Sequence, residues 1–196
     1  MQVVQSESCV SFDGQELKEY ALSSDEYAEI MDIQTDMMKL ISAKASKEAI
    51  LSQLCTRTES YLPNSVASIM LLDKESGFLD VCSAPSIPEE GIEALNGLCP
   101  GPGGGSCGNV IYKQEEQYVS AIKSDKRWDD LRDLADAFGL AACWSRPVRT
   151  DENEIIGTFA LSSFEERTPS DFHKSLLAVG AIITNVVLST SEENVA

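Results

Sequence analysis

A chain of 196 residues has room for one ordinary domain with some chain to spare, which excludes a large multidomain enzyme. Its 15 Lys and Arg against 32 Asp and Glu give a net charge of −17, which repels phosphate backbones and anionic headgroups, so nucleic acid and membrane surfaces are excluded as partners. Apolar residues at 43% supply enough material for a buried core, unlike a disordered acidic chain.

The charge is unevenly placed. Residues 1–43 hold nine acids against Lys18 and Lys39, a net of −7. Residues 1–23 show no sustained apolar period and read as an acidic, flexible lead segment. No apolar run approaches the roughly 20 residues of a membrane span, and no basic start precedes an apolar stretch, so the expectation is a cytoplasmic protein. Six cysteines, at 9, 55, 82, 99, 107 and 143, are irregularly spaced, form no CxxC and have one histidine, His173, beside them. Zinc-site spacing is missing, and the thiols read as reduced, several of them buried.

In chain order, Tyr27, Ile30, Met31, Met37, Met38 and Ile41 recur at helical steps behind Ser24, predicting an amphipathic helix over 24–43. A second helix follows Ser46 and ends before Pro63-Asn64. Val66 to Asp73 and Phe78 to Ala84 predict a hairpin around Lys74-Glu75-Ser76-Gly77. Pro88 to Asn96 suggests a short helix. Residues 97–108 hold six of the twelve glycines, after which Ser106 is expected to cap a helix over Cys107 to Lys113. A short strand at Gln117 to Ser120, a helix at Ser124 to Phe138 stopped by Gly139, and strands at Leu140 to Arg149 and Glu154 to Phe164 come next. A final helix begins at Thr168-Pro169-Ser170 and keeps Phe172, Leu176, Val179, Ile183 and Val186 on one side. The order predicts an α+β fold with an antiparallel sheet.

Within this order, Gly101-Pro102-Gly103-Gly104-Gly105-Ser106-Cys107-Gly108, Trp128-Asp129-Asp130-Leu131-Arg132, the run from Gly139 to Val148, and Ile156-Gly157-Thr158-Phe159-Ala160-Leu161 together resemble a GAF domain of the bacterial signalling type. Such domains commonly precede diguanylate cyclase or histidine kinase output domains. The resemblance spans about residues 44–191, leaving 1–23 as lead and 24–43 as an amino-terminal helix. It implies a six-stranded antiparallel sheet, with the terminal helices on one face and a helical crossover enclosing a ligand pocket on the other. Strand alternation then turns Phe159 and Leu161 toward the terminal helices and Ala160 and Ser162 toward the pocket. The same alternation separates Cys143 and Ser145 from Ala142, Trp144 and Arg146, and alignment with the family favours Cys143 and Ser145 toward the pocket. The expected ligand-binding residues are Ser106, Cys107, Trp128, Leu131, Cys143, Trp144, Ser145, Ala160 and Ser162. No catalytic and no metal-ligating residue is assigned, and the cofactor is left open.

Competing chemistries are weighed on the same residues. Gly103 to Gly108 is a formal GxGxxG, but no strand precedes it and no second βαβ unit exists, so a flexible pocket edge is the better reading. That edge would offer free helix-start N–H groups to an anion. Cys107 resembles one cysteine of free methionine-(R)-sulfoxide reductase, an enzyme of the same fold, and Cys99 loosely matches another. The nucleophile's place falls near Leu134 or Ala135, and the substrate-holding acids fall at Cys143, Ala160 and Ser162, so this enzyme is the alternative rather than the expectation. Bilin attachment favours a Cys followed by His, whereas Gly108 follows Cys107. Haem would need His173, which neighbours the buried stripe of the last helix. The cyclic-nucleotide pattern is not found. Trp128, Leu131 and Arg132 share a helical face, with Arg132 either at an anion or paired to Asp129 or Asp136, and Arg146 either at an anion or in a strand-end ion pair. The terminal helices are expected to pair across a homodimer and pass the signal to an output domain or partner. A ligand-free dimerisation or adaptor domain is the third reading.

Overall fold

The computed structural model describes residues 20–190. The expected lead segment lies, up to residue 19, outside the described residues, as does Cys9. Five antiparallel strands, in the order β2 (Leu79–Ser83), β1 (Ser65–Leu72), β5 (Ile155–Ser163), β4 (Ala142–Arg149) and β3 (Gln117–Val119), form one sheet between two helical layers. This is the α+β architecture expected, with five strands in place of six.

Helix α1 (Ser24–Ser42) starts at a capping box. The Ser23 hydroxyl accepts from Glu26 N–H at 3.2 Å, and the Glu26 carboxylate accepts from Ser23 N–H at 2.8 Å. The cap is thus one residue ahead of the expected Ser24. The stripe read from the sequence divides in two. Ile30, Ile33 and Met37 are buried, whereas Tyr27, Met31 and Met38 face solvent. Helix α2 (Lys47–Glu59) is capped by Ser46 as expected and buries Ile50, Leu51, Leu54 and Cys55. Strands β1 (Ser65–Leu72) and β2 (Leu79–Ser83) form the hairpin, whose turn places Gly77 at φ 77.

At the outer edge of β2, Leu79 and Leu98 exchange backbone hydrogen bonds at 2.9 and 3.0 Å. Beside them Asn96 Oδ1 accepts from Val81 N–H and Asp80 Oδ1 accepts from Gly97 N–H. The β2 edge is thus engaged by one backbone pair and two side-chain acceptors, with no further strand beside it among the described residues. Helix α3 (Glu89–Leu95) precedes that edge. Helix α4 (Gly105–Lys113), strand β3 (Gln117–Val119), two 3-10 turns at Ile122–Ser124 and Lys126–Leu131, and helix α5 (Arg132–Phe138) complete the crossover. The expected single helix over 124–138 is thus a 3-10 turn capped by Asp125, followed by a short α-helix that ends at Gly139 in the left-handed region. Arg127 clamps this segment to β3, donating to both Asp125 oxygens, to Gln117 Oε1 and to the Tyr118 carbonyl.

Strands β4 (Ala142–Arg149) and β5 (Ile155–Ser163) lie at the centre. Helix α6 (Asp171–Ser189) starts from Ser170 and crosses them. It is long and apolar enough to span a membrane by length and composition, but Leu176, Leu177, Ile183 and Val187 pack into the core beneath it. Its approach to the sheet is close: a Cβ built on Gly180 would stand 2.5 Å from the Phe159 ring. The larger core lies here, between the sheet and α1, α2 and α6, and includes Ile33, Leu54, Ile69, Trp144, Phe159 and Leu161. The smaller core lies on the other face, under α4 and the crossover, and includes Met70, Cys107, Trp128, Cys143 and Ala160. Alternation along β5 has therefore put Phe159 and Leu161 with the terminal helices and Ala160 on the crossover side, as read from the sequence.

Candidate functional site

The smaller core is incomplete. Between the sheet and the crossover is a cavity of about 280 Å³. Its floor is Val66, Ser68 and Met70 of β1, with Cys143 of β4 and Ser162 of β5. Its roof is Trp128, Leu131, Leu134 and Phe138 of the crossover, and α3 and the start of α4 close its sides.

Gly105 makes the α4 wall. It takes φ 67, and a Cβ there would meet Leu131 Cδ1 at 3.0 Å and the Trp128 ring at 3.5 Å. Only glycine combines that backbone with so near a roof. Helix α4 thus begins two residues earlier than read from the sequence, with Gly104 at its cap. Ser106 is not a cap. Its hydroxyl, fully inside the protein, donates to the Cys143 carbonyl at 2.8 Å and accepts from Trp128 Nε1–H at 3.2 Å. One oxygen therefore links α4, the crossover and β4.

Cys107 follows in the first turn of α4, where its sulfur accepts a hydrogen bond from Ser145 Oγ at 3.4 Å. The neighbouring Cys143 thiol, together with Ser145 and Thr158, favours its thiolate over the opposing effect of burial and brings the thiol down to about 7. Cys143 moves the other way, well above an ordinary thiol, because it donates to Cys107 and is itself buried. The two sulfurs form a pair that gives up its first proton readily and its second with difficulty. Cys55 is also buried and is pushed up to about 12 by that burial, whereas Cys82 and Cys99 are exposed, and these thiols are all free.

Of the nine residues singled out from the sequence, Ser106, Cys107, Trp128, Leu131, Cys143 and Ser162 line the cavity. Ala160 and Ser145 lie just behind, Ala160 packed in the crossover-side core and Ser145 bonded to the Cys107 sulfur. Trp144 does not join them. Strand alternation points it through the sheet into the helix-side core, where its ring centre lies 5.3 Å from that of His173. His173 therefore also sits across the sheet from the cavity, half-buried at the first turn of α6, with Nδ1 2.9 Å from Ser170 Oγ.

Both arginines considered for an anion are otherwise engaged. Arg132 pairs with Asp129 at 2.6 Å and donates to the carbonyls of Ile122, Lys123 and Asp125. Arg146 donates to the Tyr20 hydroxyl at 3.1 Å, on the helix side. Among the described residues no carboxylate, ammonium or guanidinium lines the cavity. Sequence reasoning missed the β1 floor and the α3 wall, notably Ser68, Met70, Ile87 and Gly91. The signal for β1 was its period of two, which was hidden because both of its faces are buried.

A model of the family described as "GAF domain" matches residues 44–184. A curated relative, the methyl sulfide methyltransferase-associated sensor of Methanosarcina acetivorans, is 25% identical over 163 residues, 83% of this chain and 16% of that protein. The chain thus spans a small part of that relative's length. The GAF domain of a phosphoenolpyruvate-protein phosphotransferase from Coxiella burnetii superposes with a TM-score of 0.70 at 14% identity, covering 85% of this chain and 96% of that one. Free methionine-R-sulfoxide reductase from Neisseria meningitidis, solved with its substrate, superposes with a TM-score of 0.66 at 15% identity, covering 90% of this chain and 98% of that one. Likeness at these identities concerns the fold.

Proposed function

The chain belongs to the GAF domain family, and from that premise we propose that it is a sensory, regulatory domain of a signal-transduction protein, working in the cytoplasm on a small-molecule ligand. The observation that carries this reading is the cavity between sheet and crossover, which the packing leaves unfilled in an otherwise dense core. Kinship with a curated sensor supports it.

The proposed mechanism is a population shift. A ligand under the crossover adds contacts to Trp128, Leu131 and the 97–108 loop, and so favours the closed arrangement of those segments. Strand β5 relays the change, because Ala160 and Ser162 face the crossover while Phe159, between them and the turn, supports Gly180 of α6. The terminal helices then report it through a homodimer, for which the exposed Tyr27, Met31 and Met38 of α1 and Ile182 of α6 are the apolar material. Native mass spectrometry of freshly purified protein, followed by hydrogen exchange with the molecule it retains, tests the mechanism. Slower exchange is expected over 97–108 and 124–138, and unchanged exchange in both at saturation overturns it. Sedimentation giving a monomer at tens of micromolar would remove the dimer.

The reductase reading is the alternative, supported by the fold shared with that enzyme. Here Cys143, Ala160 and Ser162 stand where its substrate-holding acids are implied. Turnover of free methionine sulfoxide by a thioredoxin system, lost in Cys107→Ser, would establish it over the sensor.

A further inference from the structure

The chemistry of the cavity wall restricts what the cavity can take. Its lining is chiefly aliphatic and aromatic and includes Met70, Leu98, Trp128, Leu131, Phe138 and Phe164. Among the described residues no carboxylate, ammonium or guanidinium lines it. The two arginines of the crossover are turned away, Arg127 onto Asp125, Gln117 and the Tyr118 carbonyl, and Arg132 onto Asp129 and three carbonyls. At a pH that keeps the Cys107 thiol protonated, a charged ligand would lose its hydration here with no counter-charge to replace it.

The polar atoms of the wall are largely occupied by one another. Ser106 Oγ is bonded to Trp128 and Cys143, and the Cys107 sulfur to Ser145. Three hydroxyls sit apart from these links: Ser86, which donates to Glu59 Oε2 at 2.6 Å, and, on the floor, Ser68 of β1 and Ser162 of β5. Ser68 is paired with Ala160, and Ser162 with Val66, so the two hydroxyls lie diagonally on neighbouring strands of the same face. Ser162 also reaches the Cys143 thiol. Ser68 and Ser162 make one small polar spot on an apolar floor. As for size, an apolar cavity of about 150 Å³ is enough for benzene, and this one, at about 280 Å³, is nearly twice as large.

We infer that the cavity is a binding site for an uncharged, chiefly apolar molecule on the scale of two fused rings, carrying one hydroxyl or carbonyl group that meets the Ser68 and Ser162 hydroxyls. The inference rests on the ligand-sensing reading and specifies the ligand's class. Stacking under Trp128 and burial against Leu131 and Phe138 supply the affinity, and the floor hydroxyls set the orientation.

The experiment compares three probes of one shape on the full chain at about pH 5.5, where the Cys107 sulfur holds its proton: 1-naphthol, 1-naphthoate and 1-naphthylmethylammonium. Calorimetry gives the affinity, and the indole N–H resonance of Trp128 reports the site. The expected result is that 1-naphthol moves that resonance and binds at least about tenfold more tightly than either ion, because each ion loses hydration without a partner. Leu131→Trp fills the roof and abolishes the response. Leu134→Trp, at the partly exposed rim, does the same if the first variant folds poorly. Binding of either ion at the Trp128 resonance as tightly as 1-naphthol overturns the inference and leaves ligand sensing standing. Silence of that resonance toward all three overturns both. Naphthol binding that survives both filled variants places it elsewhere and also overturns the inference.

Discussion

The indole N–H of Trp128 donates to the hydroxyl of Ser106 across 3.2 Å, and the same hydroxyl donates to the backbone of Cys143 across 2.8 Å. Ser106→Ala leaves the Trp128 N–H buried without its acceptor and removes the crossover's polar tie to β4. Loss of about 1–3 kcal/mol is expected from the urea midpoint. Trp128→Phe added to Ser106→Ala should cost less than it does alone, since the bond is already gone. Fully additive losses would show that the bond contributes nothing.

Gly180→Ala places a methyl group 2.5 Å from the Phe159 ring. Alanine is the better helix former by roughly 1 kcal/mol, yet the clash forces α6 off the sheet, and a net destabilisation of about 1–3 kcal/mol is expected. Phe159→Leu in the same chain should recover part of it. A Gly180→Ala protein as stable as the parent in chemical denaturation would contradict the close packing.

One thiol should ionise near neutrality. Cys107 is lowered to about 7, chiefly by the hydrogen bond from Cys143. Ultraviolet thiolate absorbance should therefore rise through the neutral range, vanish there in Cys107→Ser, and shift to higher pH in Cys143→Ala, which takes away the donor. Persistence of the neutral-range absorbance in Cys107→Ser would reassign it.

His173 makes stability depend on pH. Burial holds its pKa below the ordinary 6.5, so the folded state binds its proton less readily than the unfolded chain. Above about 6.5 the imidazole is neutral in both states and nothing is lost. As the pH falls below that value the unfolded chain takes up the proton first, and stability drops until the folded pKa is passed. The carboxylates held low, such as Asp125 by Arg127, contribute above their ordinary 3.8 and are lost at still lower pH, so the two windows separate. His173→Gln keeps a hydrogen-bonding side chain for the Ser170 capping box and should flatten the upper window alone. An unchanged slope between pH 5 and 6.5, values bracketing the falling limb only roughly, would exclude His173 as its source.

The helix-facing half of the molecule was legible in the sequence because its residues contrast. Phe159 and Leu161 are bulky, Ala160 and Ser162 small, and a period of two is enough to orient β5. The crossover resisted for the opposite reason. Ser106 has the residue type of a cap, but the positive φ of Gly105 starts the helix earlier and turns the Ser106 hydroxyl inward. The helical spacing from Ser124 to Phe138 is interrupted because Arg132 binds the carbonyls of Ile122 and Asp125, a tertiary arrangement that no local period encodes. Trp144 shows the limit of motif reading. It lies within a run that resembles a pocket strand, yet its position in the alternation sends it to the opposite core.

Both margins of the sheet carry backbone groups that are already engaged. Along β2, Leu98 occupies the backbone of Leu79 while Asn96 and Asp80 supply the flanking acceptors. Along β3, the Arg127 guanidinium covers the Tyr118 carbonyl. Among the described residues, part of each backbone edge that a foreign strand would need is thus already engaged, which disfavours its addition to the sheet. The helical face presents side chains alone, the exposed Tyr27, Met31 and Met38 of α1 among them, so its shape can be altered by single substitutions without disturbing the sheet that encloses the cavity.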